Sequence, residues 1–286
     1  MHDTSSPRGA RSRFVGGSGP RLHYLDWGGP KSLPAIALHG FALNGHSWDE
    51  VAPALIQRVH LHAFDQRGHG LSERAPRLED YSREHMVADI ERIISELSLD
   101  CPVLIGHSMG GLNAMAFAAR HPDRARALIL VDVGPEVRVD GASEVARFVA
   151  GPYELDSLDA WVEHTHRYYP WRTKDRIRER LKMSLRRTPE GRLAKQYDPR
   201  FREGFGGVIE VQQDLWELAH ALRCPTLLVH GAESPVLTRE MAERFVSEVE
   251  KAERVTIPGA SHSVAGDQPE AFARAVLQFL DKRVPG

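Results

Sequence analysis

A series of short apolar runs punctuates this chain: AIALHG (35–40), HLHAFD (60–65), VLIGH (103–107), ALILVD (127–132), TLLVHG (226–231) and RVTIPG (254–259). Most are continuous rather than alternating in hydrophobicity, which suits strands buried on both faces. Between them the period changes. Met86, Ile90, Ile93, Ile94 and Leu97 share one face of a helix over 82–99, and MGGLNAMAFAARH reads as a small-residue helix directly after VLIGH. Further helices are expected over NGHSWDEVAPALIQR, about 238–249 and PEAFARAVLQFL. Two more strands joined by a glycine-rich turn are expected in SRFVGGSGPRLHYLDWGG. Strands separated by helices need crossover connections. The expectation is therefore an α/β fold: a mostly parallel eight-stranded sheet with helices on both faces.

The interval 134–215 breaks the pattern. It has no strand-like run but carries charged helical patterns at about 142–150, 156–168 and 173–187. A helical cap over the carboxyl edge of the sheet is expected there, with the core built from 13–133 and 216–286 and a flexible tail at 1–12. Open α/β sheets bind ligands at that edge.

Composition narrows the partners. The 286 residues are 42% hydrophobic and 27% charged, with a net charge of −2. Neither nucleic acid nor an anionic membrane is an expected partner of such a chain. No apolar run is long enough to span a bilayer, and MHDTSSPRGARSRF lacks the apolar core of a secretory signal. Two cysteines suit a reducing, cytoplasmic setting. The 15 histidines are scattered, and neither His60/His62 nor His164/His166 has zinc-ligand partners nearby in sequence. No metal and no other cofactor is expected.

The chemistry centres on GHSMGG (106–111). A glycine two residues either side of Ser108, between a strand and a helix, is the pattern of a nucleophile elbow. The tight turn strains the serine backbone, and side chains at the flanking positions would collide. The helix N-terminus behind the serine favours a developing oxyanion.

With HGF (39–41), DQRGHGLS (65–72), GHSMGG and GASH (259–262) in this order, the chain resembles the α/β-hydrolase superfamily over residues 20–283. That resemblance implies Ser108 as nucleophile, His262 as general base, and an oxyanion hole from the N–H groups of Phe41 and Met109. It implies that Asp65, Arg67 and Ser72 brace a loop. It also places the ALILVD strand between the strands that follow Cys101 and Cys224. Two strand spacings are about 9–10 Å, beyond the roughly 7 Å limit for a disulfide, so free thiols are expected.

The acid is less plain. Most family members carry it three or four residues past the glycine of the strand matching TLLVHG, where this chain has Ser234 and Pro235. Glu233 lies one step early. The superfamily's second location, the end of the preceding strand, offers Asp132. A serine–histidine pair needs a carboxylate to fix the imidazole, and Asp132 is preferred to Glu233.

A serine at the elbow points to acyl transfer on a small ester, lactone or enamide. The cap is rich in arginine and aromatic residues, so a substrate carboxylate is a further expectation. Arg147 and Arg167 are the arginines chosen for it, with Tyr168 and Trp171 beside them. The acid placement and the arginine-bearing cap are similar to the small-acid hydrolases of ring-degradation pathways, enamide-splitting ones included. The rival readings are a C–C bond hydrolase of ring-cleavage products, a cofactor-free dioxygenase using a histidine–aspartate pair, and a non-catalytic small-molecule receptor.

Overall fold

The computed structural model describes residues 9–17, 19–136, 138, 150–204 and 213–284. Eight strands form one sheet in the order β1-β2-β4-β3-β5-β6-β10-β11. They are β1 (Arg11–Val15), β2 (Leu22–Gly28), β3 (Pro34–Leu38), β4 (His60–Phe64), β5 (Val103–His107), β6 (Ala127–Val131), β10 (Thr226–Gly231) and β11 (Ala252–Ile257). Pairing is antiparallel from β1 through β2 to β4 and parallel from β4 onward. The sheet is the mostly parallel one that the apolar runs predicted. Both thiols are free.

Each central strand is buried on both faces because it feeds two hydrophobic layers. Ala35 and Ala37 of β3 belong to one layer with Trp48, Leu55, Phe272 and Phe279. Ile36 and Leu38, one residue out of phase, belong to the other with Ile90, Met115, Phe117 and Phe245. On this second side α2 (Arg83–Glu96) buries Met86, Val87, Ile90, Ile93 and Ile94, and α3 (Met109–Arg120) buries nearly its whole length. After β3 the chain steps outward to β4, then returns past β3 to β5. The strand order thus reverses between β3 and β5, and the crevice at their carboxyl ends is the place such sheets reserve for a ligand.

Two sequence expectations need revision. β1 begins at Arg11, pairing Arg11 with Asp26, so the ordered core reaches into the stretch assigned to a tail. Secondly, the interval after β6 is not only helical. Besides α4 (Leu158–Tyr168) and α5 (Lys174–Ser184) it holds a small antiparallel sheet, β7-β9-β8, of β7 (Glu154–Leu155), β8 (Leu185–Arg187) and β9 (Leu193–Lys195). The helix expected to run to 187 stops at Ser184, because Thr188-Pro189-Glu190-Gly191 closes a hairpin. Gly191 takes φ +83°, and Thr188 N–H donates to Arg192 O at 2.8 Å. The helix expected at about 142–150 lies outside the described residues save Ala150.

This interval is tied to the core through polar contacts. Asn44 Nδ2 donates to Met183 O and to Gln196 Oε1, and Gly70 N–H donates to Gln196 O. A buried ion pair joins Arg172 to Asp267 at 2.6 Å. α7 (Gln213–His220) then returns to the core, packing Leu215 and Ala219 into the second layer.

Candidate active site

Ser108 sits between β5 and α3 with φ +50° and ψ −118°, a conformation rarely tolerated by a residue with a side chain. Close packing holds it there. A Cβ on Gly106 would lie 2.5 Å from Gly110 O and from the Gly111 Cα, and one on Gly110 would lie 2.4 Å from Leu38 O. The glycines around the serine therefore serve backbone approach, as the elbow reading required. The amide of Met109 opens α3, among the N–H groups that have no partner within the helix.

The loop after β3 comes equally close. A Cβ on Gly40 would meet His107 Nδ1 at 2.6 Å and Ser108 Cβ at 3.4 Å, so Phe41 follows a residue in direct contact with the elbow. Buried histidines fix this loop. His39 Nδ1 donates to Gly40 O at 2.8 Å, leaving Nε2 to accept from Gln66 N–H at 2.9 Å. His69 Nδ1 donates to Arg67 O, and its Nε2 accepts from Ala42 N–H at 3.3 Å. Under the same loop, Asp65 accepts from Gly45 N–H, Leu71 N–H and His23 Nδ1. Arg67 forks onto Asp89 at 2.6 and 2.8 Å, and Ser72 Oγ accepts from His23 N–H.

Both ring nitrogens of His39 and His69 are committed as one donor and one acceptor, so each ring must be neutral. Burial pushes His69 down to about 3, with the neighbouring His39 adding to the shift, and burial lowers His39 as well. An unfolded histidine titrates near 6.5. Between those values the unfolded chain binds more protons, so stability falls as pH drops from about 6.5 toward 3. For His69 alone the loss by pH 4 is on the order of 3 kcal/mol. Urea midpoints measured across that window should fall less steeply in His69→Gln than in the wild type; parallel curves would remove His69 as a source of the acid sensitivity.

His262 follows β11 and the Gly259 turn. Its Nδ1 donates to Asp132 Oδ2 at 2.8 Å, and its ring centroid lies 4.8 Å from that of His107, the residue before Ser108. His107 Nε2 donates to His262 O at 2.9 Å, tying the histidine loop to the elbow. Asp132 is fully buried at φ +52° and accepts from Gly231 N–H through Oδ1. Its Oδ2 also accepts a short hydrogen bond from Ser234 Oγ. Ser234, which stands where most family members have an acid, is thus a donor to the carboxylate on the neighbouring strand. Glu233 is exposed and accepts instead from Gly259 N–H at 3.3 Å. Of the two candidate acids, the one in contact with His262 is Asp132.

The cap residues chosen from sequence do not gather here. Arg147 lies outside the described residues. Arg167 and Tyr168 are exposed at the end of α4, both beside His164. Trp171, 56% exposed, donates through Nε1 to Asp267. A different arginine lines a cavity with residues adjoining Ser108 and His262 in the chain. Arg180 of α5 lines a small cavity with His107, Leu43, Trp48, Ser263 and Gly266, its guanidinium against the Gly266 backbone. One turn earlier, Arg176 shares Glu50 with it, at 2.6 and 3.2 Å. Burial, then the charge of nearby Arg172, depresses the Arg180 pKa. The spacing of Arg176 and Arg180 on one helical face was visible in sequence, but nothing there said which way the face turned.

The family profile for the alpha/beta hydrolase fold matches residues 36–269. The chain belongs to the α/β-hydrolase fold family. It is 32% identical to an esterase of Mycobacterium tuberculosis over 91% of this chain and 86% of that protein. Among solved structures, an α/β hydrolase from Novosphingobium aromaticivorans superposes with a TM-score of 0.86 at 27% identity, covering 96% of this chain and 98% of the other. An E-2-(acetamidomethylene)succinate hydrolase superposes with a TM-score of 0.84 at 25% identity, covering 95% and 99%. This α/β-fold hydrolase therefore has esterase-like relatives. Among the described residues no helix is long and apolar enough to cross a membrane.

Proposed function

We propose that the protein is a serine hydrolase that cleaves a small, carboxylate-bearing ester, lactone or enamide through an acyl-enzyme. The observation that carries this reading is the 2.8 Å contact between His262 and the buried Asp132, on a loop bonded to His107, the residue before a serine held at φ +50° on a helix N-terminus. Ser108 Oγ attacks the acyl carbon as His262 Nε2 takes its proton. Asp132 holds the imidazole in the tautomer that leaves Nε2 free to do so and stabilises the imidazolium that results. The N–H groups of Met109 and Phe41 receive the oxyanion. His262 returns the proton to the leaving group, then activates water against the acyl-enzyme. Acyl transfer by this set of groups calls on no metal or organic cofactor.

The acidic substrate is supported by charge. Among the described residues, Arg172 pairs with Asp267, while Arg176 and Arg180, which lines the cavity, share the single carboxylate of Glu50. Like charges crowd Arg180, and a substrate carboxylate would relieve them with a charge-assisted hydrogen bond. Such a bond is worth about 1.5–3 kcal/mol, or roughly 10–100-fold in kcat/KM. Matched esters, enol-lactones and N-acyl enamides with and without a carboxylate test this. Arg180→Gln should lose that factor on the acids, mainly through KM, and leave neutral analogues alone, while Arg167→Gln should do little. Indifference of every substrate to Arg180 would remove the acidic-substrate assignment.

A further inference from the structure

We propose that Asp26, His60 and His62 form a binding site for one divalent transition-metal ion of the zinc type, remote from the hydrolytic centre. His60 and His62 alternate along β4 and so project from the same face of the sheet. The antiparallel register sets Asp26 of β2 directly opposite His62. One nitrogen of each histidine and one carboxylate oxygen of Asp26 lie within 4.8 Å of one another. A zinc ion bound at about 2.0–2.2 Å wants such atoms roughly 3.3 Å apart, so binding would draw the three side chains together.

The surrounding contacts prepare these atoms. His62 Nδ1 can only donate to Ala35 O, at 3.3 Å, which leaves Nε2 as the nitrogen with a free lone pair. A ring nitrogen anchored on a backbone carbonyl is the usual outer support of a metal-binding histidine. His60 Nε2 already meets Asp26 Oδ1 at 2.9 Å, and its ring stacks on His62 with centroids 4.4 Å apart. Arg13 takes the other oxygen, Oδ2, at 3.0 Å, and Gly28 N–H also reaches Oδ1. The side chains of Asp26 and His60 are each 17% exposed, so an ion can arrive from solvent and keep a water as fourth ligand. Two imidazoles and one carboxylate suit zinc and its neighbours rather than magnesium or calcium. The partner acid precedes the histidine pair by 34 residues, which is why the pair alone gave no metal signal.

Pairing places this cluster at the opposite end of the sheet from Ser108. His60 is level with Pro34 on β3, whereas Gly106 is level with Leu38. Six residue steps along a strand are roughly 20 Å, so the ion would clamp β2 to β4 rather than enter the reaction. Chelator-treated protein titrated with Zn²⁺ by calorimetry, and with Co²⁺ by visible absorption, should bind one equivalent and melt at a higher temperature in its presence. His60→Gln and His62→Gln should each lose that equivalent and that shift, and Asp26→Asn should weaken it by about 10–100-fold or more. Circular dichroism without metal checks that each variant folds. Where one does not, Arg13→Ala decides, because freeing Asp26 Oδ2 at the surface should tighten binding. Wild-type protein without zinc-dependent heat or stabilisation, histidine variants that titrate like wild type, or an Arg13→Ala protein no tighter than wild type would each overturn the site.

Discussion

Replacing Asp132 by asparagine is expected to lower kcat on an ester substrate by about 10³–10⁴-fold, whereas Glu233→Gln leaves it nearly unchanged. The amide occupies the same space, so the loss is electronic: a side-chain N–H turned toward His262 Nδ1 selects the wrong tautomer, and no charge remains to stabilise the imidazolium. Glu233 has no part in this because its carboxylate is spent on the Gly259 turn. Ser234 adds a sharper version of the test. Its hydroxyl accepts from Val236 and Leu237 N–H groups and donates to the oxygen of Asp132 that holds His262. Ser234→Ala should therefore cost about tenfold, the lower range of a hydrogen bond to a charged group. Ser234→Asp in the wild type would set two carboxylates in contact, raise the pKa of one of them and depress activity. The same change in the Asp132→Asn background brings a carboxylate from the adjacent strand to nearly the same point and should recover part of the lost rate. Full activity in Asp132→Asn, together with a large loss in Glu233→Gln, would reverse the assignment of the acid.

What could be foreseen from the sequence depended on how far each feature reaches along the chain. The elbow is local. A side chain on Gly106 or Gly111 would collide with the other's backbone across one turn, and one on Gly110 with the carbonyls of Leu38 and His39, so the glycine spacing announced the geometry. The acid required a step across strands, and the missing carboxylate at Ser234 and Pro235 directed attention to Asp132 on the neighbouring strand. That Ser234 itself donates to Asp132 was hidden, since it depends on how the ends of β6 and β10 meet. Arg180 was hidden for a related reason. A charged helix such as α5 buries only Ile177 fully, so its hydrophobic pattern is too thin to say which arginine faces inward, whereas Arg147 and Arg167 adjoin apolar cap positions that draw the eye in sequence. The β8–β9 hairpin was masked by arginines that fit a helix as well as an edge strand, although Thr188-Pro189-Glu190-Gly191 carried a turn signal. Asp26, His60 and His62 meet only through strand register.

Ser108→Ala should abolish turnover almost completely, by about 10⁶-fold in kcat, and the way it fails separates the readings of this fold. A serine hydrolase loses both its nucleophile and its reaction with a serine-directed phosphonate, which should label the wild type once, at Ser108. The residual rate then comes from substrate binding and the oxyanion N–H groups alone, which still exceed the uncatalysed reaction by about 10³–10⁴. A cofactor-free dioxygenase would behave otherwise. Its histidine–aspartate pair removes a proton from the substrate itself, so oxygen uptake on a heteroaromatic substrate would survive Ser108→Ala and vanish in His262→Ala. A C–C bond hydrolase would turn over ring-cleavage products in preference to activated esters. A receptor would bind ligand with neither labelling nor turnover and would tolerate loss of His262. The strained turn argues for the first outcome on energetic grounds. A non-glycine residue held outside the ordinary φ/ψ regions costs on the order of 1–3 kcal/mol, and here the strain at φ +50° is maintained by three glycines and a close-packed loop. Relieving it while keeping the serine, as a receptor would have been free to do, would withdraw the hydroxyl from the helix N-terminus where an oxyanion can be received. Retained activity in Ser108→Ala with intact phosphonate labelling elsewhere would move the chemistry off this serine and overturn the acyl-enzyme.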